Sequence, residues 1–140
     1  MNESLARKLI EKYPKIFPNC GIECGDGWFW LIDELCGSIQ SFVDNNKSKT
    51  LTNEELIEET MTERFSRMRL TQVVACQVKE KFGTLRFYST GGDTFTDGMI
   101  CLAERMSGKI CEYCGKTEDI KKTSGWIKSL CPECFEKYEK

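Results

Sequence analysis

The chain of 140 residues contains no histidine. That removes the commonest general base and the commonest ligand of a catalytic metal together, so the expectation is a protein that is not an enzyme. There is also no apolar run near the roughly 18 residues that a membrane span needs. The opening residues, MNESLARKLIEKY, lack the apolar core of a signal peptide. A cytoplasmic chain with no membrane partner is implied, and there nine cysteines, an odd number, read as metal ligands and buried thiols, not bridges. An excess of positive charge is missing too. A net charge of -2 and a pI of about 5.4 argue against a surface that coats nucleic acid without regard to sequence, which requires many phosphate contacts.

What is present is organised around four of the cysteines. Cys111 and Cys114 (KICEYCGK) and Cys131 and Cys134 (SLCPECFE) form two CxxC pairs with sixteen residues between them, the spacing of a structural zinc site. Each CxxC turn lets two thiolates converge on one ion. Four sulfurs around Zn2+ leave no open position for water or substrate, so such a site stabilises structure and does not catalyse. Two disulfides, or free thiols in a core, are the competing accounts of the same spacing. Pro132 suits a first helical turn, and knuckle, short hairpin and helix together predict a treble-clef or ribbon-like module. A module of this size does not fold without its metal, so the reading is a core domain over 1–108 and a four-cysteine zinc module over 109–140 packed on it.

Hydrophobic periodicity gives the core an α+β class, helices packed on a small antiparallel β-hairpin or sheet. A short helix capped by Ser4 ends before Pro14. The Gly-rich loop FPNCGIECGDG follows, with Cys20 and Cys24 as weak candidates for a second metal site. From Trp28, the residues Leu31, Ile32, Leu35, Ile39, Phe42 and Val43 fall on one helical face, with Asp33 off it. Thr52 and Glu55 form a capping box for another long helix, with Ile57, Met61, Phe65 and Met68 as its stripe and Arg64, Arg67 and Arg69 at its end. The period then changes to two: Val74, Cys76 and Val78 are expected inward, and Gln77, Lys79, Arg86 and Tyr88 outward, around a turn at 80–83. A last core helix begins near Thr94 or Thr96 with Ile100, Ala103 and Met106 inward and Gly108 as its C-cap. Cys36 and Cys76 read as buried thiols.

Charge is unevenly spread. Residues 64–90 carry six basic side chains against Glu80 alone, inside an otherwise acidic chain. A basic centre of this kind argues for a local anion site. Lys79, Lys81, Arg86 and Tyr88 on the hairpin, the bare backbone of Gly91 and Gly92, and the helix N-terminus that follows make a candidate pocket for a phosphate or carboxylate, with Tyr88, Phe82 or Trp126 available to stack a ring. An ordinary solvated hairpin is the plainer account of the same residues. Asp93 and Asp97 would serve an enzyme with a catalytic metal, but acidic residues at a helix start usually cap it.

The strings KEKFGTLRFY, KICEYCGK and GWIKSLCPEC, in that order, with GWFWLIDELC ahead of them, resemble a family of small proteins encoded by phages and bacteria. The resemblance spans roughly residues 26–43 and 72–134. It implies a role in phage biology, including interference with host defence, inside the host cytoplasm. Two functions are consistent with all of this: a protein that binds an anionic, nucleotide-like ligand (a nucleotide signal or nucleic acid), and a module that binds a host protein through zinc module and hairpin.

Overall fold

In the computed structural model the described residues are 1–46, 60–62 and 70–140. The expected helix capped by Thr52 and Glu55, with Ile57, Phe65, Met68 and the three arginines Arg64, Arg67 and Arg69, lies outside them. Met61, which is described, is exposed.

Helix α1 spans Glu3–Lys12. Its cap is Asn2 and not Ser4, because the Asn2 side chain accepts from the Leu5 amide at 3.0 Å and leaves Ser4 inside the first turn. A two-residue strand, β1 (Ile22–Glu23), lies within the Gly-rich loop and pairs in parallel with β2, Ile22 opposite Val78. Trp28 closes a short 3-10 turn (Asp26–Trp28), and the central helix α2 runs over Phe29–Asn46. Trp28, Ile32, Leu35, Cys36, Ile39 and Val43 are buried, as their spacing predicts, while Leu31 and Phe42 pack at the margin. Asp33 departs from the expected solvent face. It is buried because two partners wait for it: Lys12 Nζ donates at 2.8 Å and Tyr13 Oη at 2.8 Å.

Strands β2 (Thr71–Lys81) and β3 (Thr84–Gly92) form the antiparallel hairpin, and β1 makes the sheet mixed, in the order β1-β2-β3. Phe82 and Gly83, with φ of 54° and 72°, make the two-residue turn between them. The inward set of β2 is Val73, Ala75 and Val78, one residue out of step with the expectation over its first half. Pairing shifts between Ala75 and Gln77, so Cys76 is the extra residue of a bulge. That turns Cys76 out to solvent, contrary to its expected burial, whereas Cys36 is fully buried.

Helix α3 (Thr94–Ser107) packs on β3 and α2. Asp93 caps it, accepting from the Phe95 and Thr96 amides at 3.0 Å, and Gly108 is the C-cap. Thr96, Ile100, Ala103 and Ser107 face in; Met106 is exposed, since Ser107 takes the inward position by donating to Glu104 O and accepting from the Leu85 amide at 2.7 Å. The chain ends in the two-stranded ribbon β4 (Lys121–Lys122) and β5 (Ser129–Leu130) and helix α4 (Pro132–Tyr138). Among the described residues the architecture is α+β, helices α1 to α4 with a small mixed sheet and a second small sheet, and the C-terminal four-cysteine cluster is consistent with a zinc module. Among the described residues no helix is long and apolar enough to cross a membrane.

Burial pushes the Asp33 carboxyl up, but the bonds from Lys12 and Tyr13 outweigh it and hold the carboxyl below its ordinary value. A group depressed on folding contributes stability that is present above its unfolded value, near 3.9, and is lost as pH falls through the folded one. Asp33→Asn should therefore melt below the wild type at pH 7, with the gap closing below about pH 4. Thermal melts across pH 2.5–7 check this; a gap independent of pH would contradict it.

Candidate metal centre and ligand cleft

The four cysteines do converge. Cys111 and Cys114 sit on a knuckle in which the Gly115 amide returns to Cys111 O at 2.9 Å; Cys131 is the N-cap of α4, and Cys134 lies in its first turn. The four sulfurs lie within 4.8 Å of one another, with Cys114 and Cys131 3.6 Å apart. That separation is far beyond the S–S bond of about 2.05 Å. It matches the edge of about 3.8 Å of a tetrahedron with metal–sulfur bonds near 2.3 Å. All four are free thiols, so the set could hold a metal ion. Burial pushes the Cys111 thiol up, but amide donors from Cys131, Cys114 and Tyr113 outweigh it and bring the group to about 7, while burial and the neighbouring thiols push Cys114 and Cys134 up.

Cys20 and Cys24 make no second centre. Among the described residues the four-cysteine group is the only set of three or more ligand-bearing side chains close enough to share an ion. Burial instead pushes the Cys24 thiol up to about 12, the behaviour of an inert core cysteine.

The proposed ligand residues are brought together only in part. Lys79 and Lys81, at the turn end of the hairpin, line a cleft of about 740 Å³ between that turn and the metal module, with Phe82 on one side and Tyr113 and Trp126 on the other. Neither lysine is in an ion pair among the described residues; each stands near a ring instead, Lys79 5.9 Å from the Tyr88 centroid and Lys81 5.6 Å from that of Phe82. Arg86 faces Lys79 across the two strands but does not line the cleft, and its guanidinium is bound to Thr84 Oγ1 and Leu85 O at 2.8 and 2.9 Å. Tyr88 also stands outside the cleft, opposite Gln77.

Gly91 and Gly92 are at the other end of β3. Gly91 is five steps along the strand from Arg86, roughly 16 Å of extended chain, so the expected joint pocket is not formed. Both glycines are needed for packing: a Cβ on Gly91 would lie 2.0 Å from Gln72 O and one on Gly92 2.2 Å from Thr96 Oγ1. The amides of the α3 N-terminus are likewise committed, since Asp93 takes those of Phe95 and Thr96. The same bonds give Asp93 a capping role.

Three residues that the sequence reading passed over shape the cleft. Lys128 Nζ donates to Glu112 Oε1 at 2.7 Å and lies 3.6 Å from Glu80 Oε2. Its single charge offsets one of these two carboxylates, which with Glu23 line the same cleft as Lys79 and Lys81. Burial works against the Lys128 charge, but the bond from Glu112 and the two nearby carboxylates keep its ammonium above the ordinary lysine value. Nothing in the string GWIKSLC marks Lys128 as more than a surface lysine; only the fold reveals its partners. Tyr113, between two metal ligands, likewise carries no signal beyond being aromatic.

No protein-family model, curated protein or solved structure matches the chain. The site is therefore interpreted from its own chemistry. One metal ion per chain should appear in the native mass spectrum, and Cys131→Ser should lose it together with several degrees of melting temperature. A purified chain carrying no ion, or one whose mass shows these thiols joined in pairs, would refute the metal centre.

Proposed function

We propose that this chain is a non-enzymatic, zinc-stabilised binding protein whose cleft between hairpin turn and metal module takes an anionic, ring-bearing ligand of the nucleotide class. The observation that carries the reading is the meeting of Lys79 and Lys81 with exposed rings of Phe82 and Trp126 in one 740 Å³ cleft, within the size range of small-ligand sites. Two ammonium groups free of carboxylate partners suit a phosphate, and ring faces on both walls suit a base. The metal is zinc in this reading, because four thiolates at tetrahedral spacing match its preference and leave it no open position for catalysis. In a phage-type protein, holding a nucleotide signal in the host cytoplasm would blunt a host defence that depends on it.

A second reading, a module for a host protein, is favoured by one observation: Phe95, Leu102 and Met106 form an exposed apolar line on α3, the kind of surface that marks partner sites. A stoichiometric protein partner that survives purification and is lost in Leu102→Glu would establish it.

Calorimetric titration with mono-, di- and triphosphate nucleotides and cyclic dinucleotides tests the first reading. Lys79→Ala or Lys81→Ala should weaken the best ligand about tenfold, the loss expected for one charge-assisted bond, without moving the melting temperature. Arg86→Ala, already bound within its own strand, should do less. Failure of every nucleotide to bind the wild type would end the proposal, and elemental analysis finding a metal other than zinc would correct the cofactor.

A further inference from the structure

A second cleft, of about 690 Å³, lies beside the first. Tyr113 of the metal knuckle lines both, and the loop residues continue from one to the other, Cys24 and Gly25 in the first, Asp26 and Gly27 in the second. The second cleft is also lined by Trp30 and by Leu5, Lys8 and Lys12 of α1. Four exposed rings thus line two clefts that share Tyr113: Phe82, Trp126, Tyr113 and Trp30, which are 62%, 72%, 42% and 71% exposed. Exposed rings of this size scattered singly need no explanation, but four along a shared track do.

The charge along the track has the same character. Its carboxylates are mostly committed: Glu80 and Glu112 to Lys128, Asp33 to Lys12 and Tyr13, and Asp26 to the Asn2 backbone amide and side chain at 2.6 and 2.8 Å. Three ammonium groups, those of Lys79, Lys81 and Lys8, are in no ion pair among the described residues and line one cleft or the other. Rings for successive bases with a few separate cations for the backbone are the parts of a single-stranded nucleic-acid groove.

Resting on the nucleotide-class reading above, we infer that the ligand is a short single-stranded oligonucleotide that crosses the metal knuckle from the Lys79–Lys81 cleft to the Trp30 cleft, stacking on Phe82, Trp126, Tyr113 and Trp30. Stacking on open ring faces tolerates any base, so the recognition is of single-strandedness and length more than of sequence. With three phosphate contacts the binding falls with salt at a modest slope, and a fourfold rise from 50 to 200 mM should weaken it about 20-fold. A groove that depended on charge alone would lose far more.

The test is fluorescence titration of the zinc-loaded full chain with dTMP and with dT2, dT4 and dT8, repeated with the matching uridine series. Affinity should rise at least about tenfold from dTMP to dT4 and then level off. Trp30→Ala should abolish that gain while leaving dTMP binding unchanged, and Trp126→Ala should weaken both; each side chain is exposed, and melting curves of both variants should match the wild type. If dTMP and dT8 bind equally, or if Trp30→Ala leaves dT8 affinity intact, the oligonucleotide inference is overturned and a one-nucleotide cleft stands. If neither mononucleotides nor oligomers bind, the nucleotide-class reading falls with it.

Discussion

Glu112 is the contact on which the arrangement of the chain depends. It lies between Cys111 and Cys114 of the four-cysteine cluster, is 1% exposed, and joins three segments that are distant in sequence. Its carbonyl accepts from Gly27 at 2.8 Å, its amide donates to Ser129 O at 2.9 Å, and its Oε1 accepts from Gly25 at 3.1 Å and from Lys128 at 2.7 Å. The loop can come this close only because it lacks side chains there: a Cβ on Gly25 or Gly27 would stand 2.2 Å from Glu112 O or 2.1 Å from Cys111 O. The module's own apolar cluster is three buried residues, Cys111, Leu130 and Cys131, which is too little to fold on. Docking on the core, with the ion that the four sulfurs could hold, would supply what a hydrophobic interior supplies in a larger unit.

Docking fixes more than the knuckle. Trp28, fully buried at the head of α2, donates from Nε1 to Ile110 O at 3.1 Å, so the central helix and the first metal ligand are held one residue apart. On the opposite side, Ser129 Oγ donates to Gly83 O at 2.6 Å and Lys122 Nζ to Phe82 O at 3.1 Å, which ties the hairpin turn to the ribbon. The cleft walls are thus set by the same bonds that seat the module. Lys128 connects the two sets, since one ammonium serves Glu112 of the knuckle and Glu80 of the hairpin. A largely buried charge shared in this way is costly to orphan, so Lys128 ties the two walls to each other.

The parts of this molecule that were legible in its sequence are those with a repeating signal. The face of α2, the hairpin with its turn, the capped start of α3 and the two CxxC pairs each follow a period or spacing that secondary structure or a metal imposes. What was not legible depends on a single partner elsewhere. Asp33 read as a solvent residue because nothing local announces Lys12 and Tyr13 twenty-odd positions earlier. Strand β1 has two residues, too few for any pattern, and exists because β2 offers it an edge. The bulge at Cys76 reversed the inward set of half a strand, since a period-two count cannot detect one extra residue. At the site, Lys79 and Lys81 do line one cleft, but they are not grouped with Gly91 and Gly92, because neighbours along a strand are carried apart at over 3 Å per residue.

The acidic balance of the chain bears on what its clefts can hold. With a net charge of -2, long-range attraction does not draw a polyanion to this surface, and a duplex, whose base faces are covered by its own stacking, would meet only three scattered ammonium groups. An unpaired strand presents its faces as well as its phosphates. The rings at Phe82, Trp126, Tyr113 and Trp30 can then contribute dispersion and desolvation that the charges lack, and the contribution grows with each base until the track is full. On the oligonucleotide proposal, selection for single strands would follow without any contact that reads sequence, because the property recognised would be the exposed face of the base. Lys128 offsets one of the two charges of Glu80 and Glu112 inside the wall, which lessens the repulsion those carboxylates would exert on the first phosphate to enter.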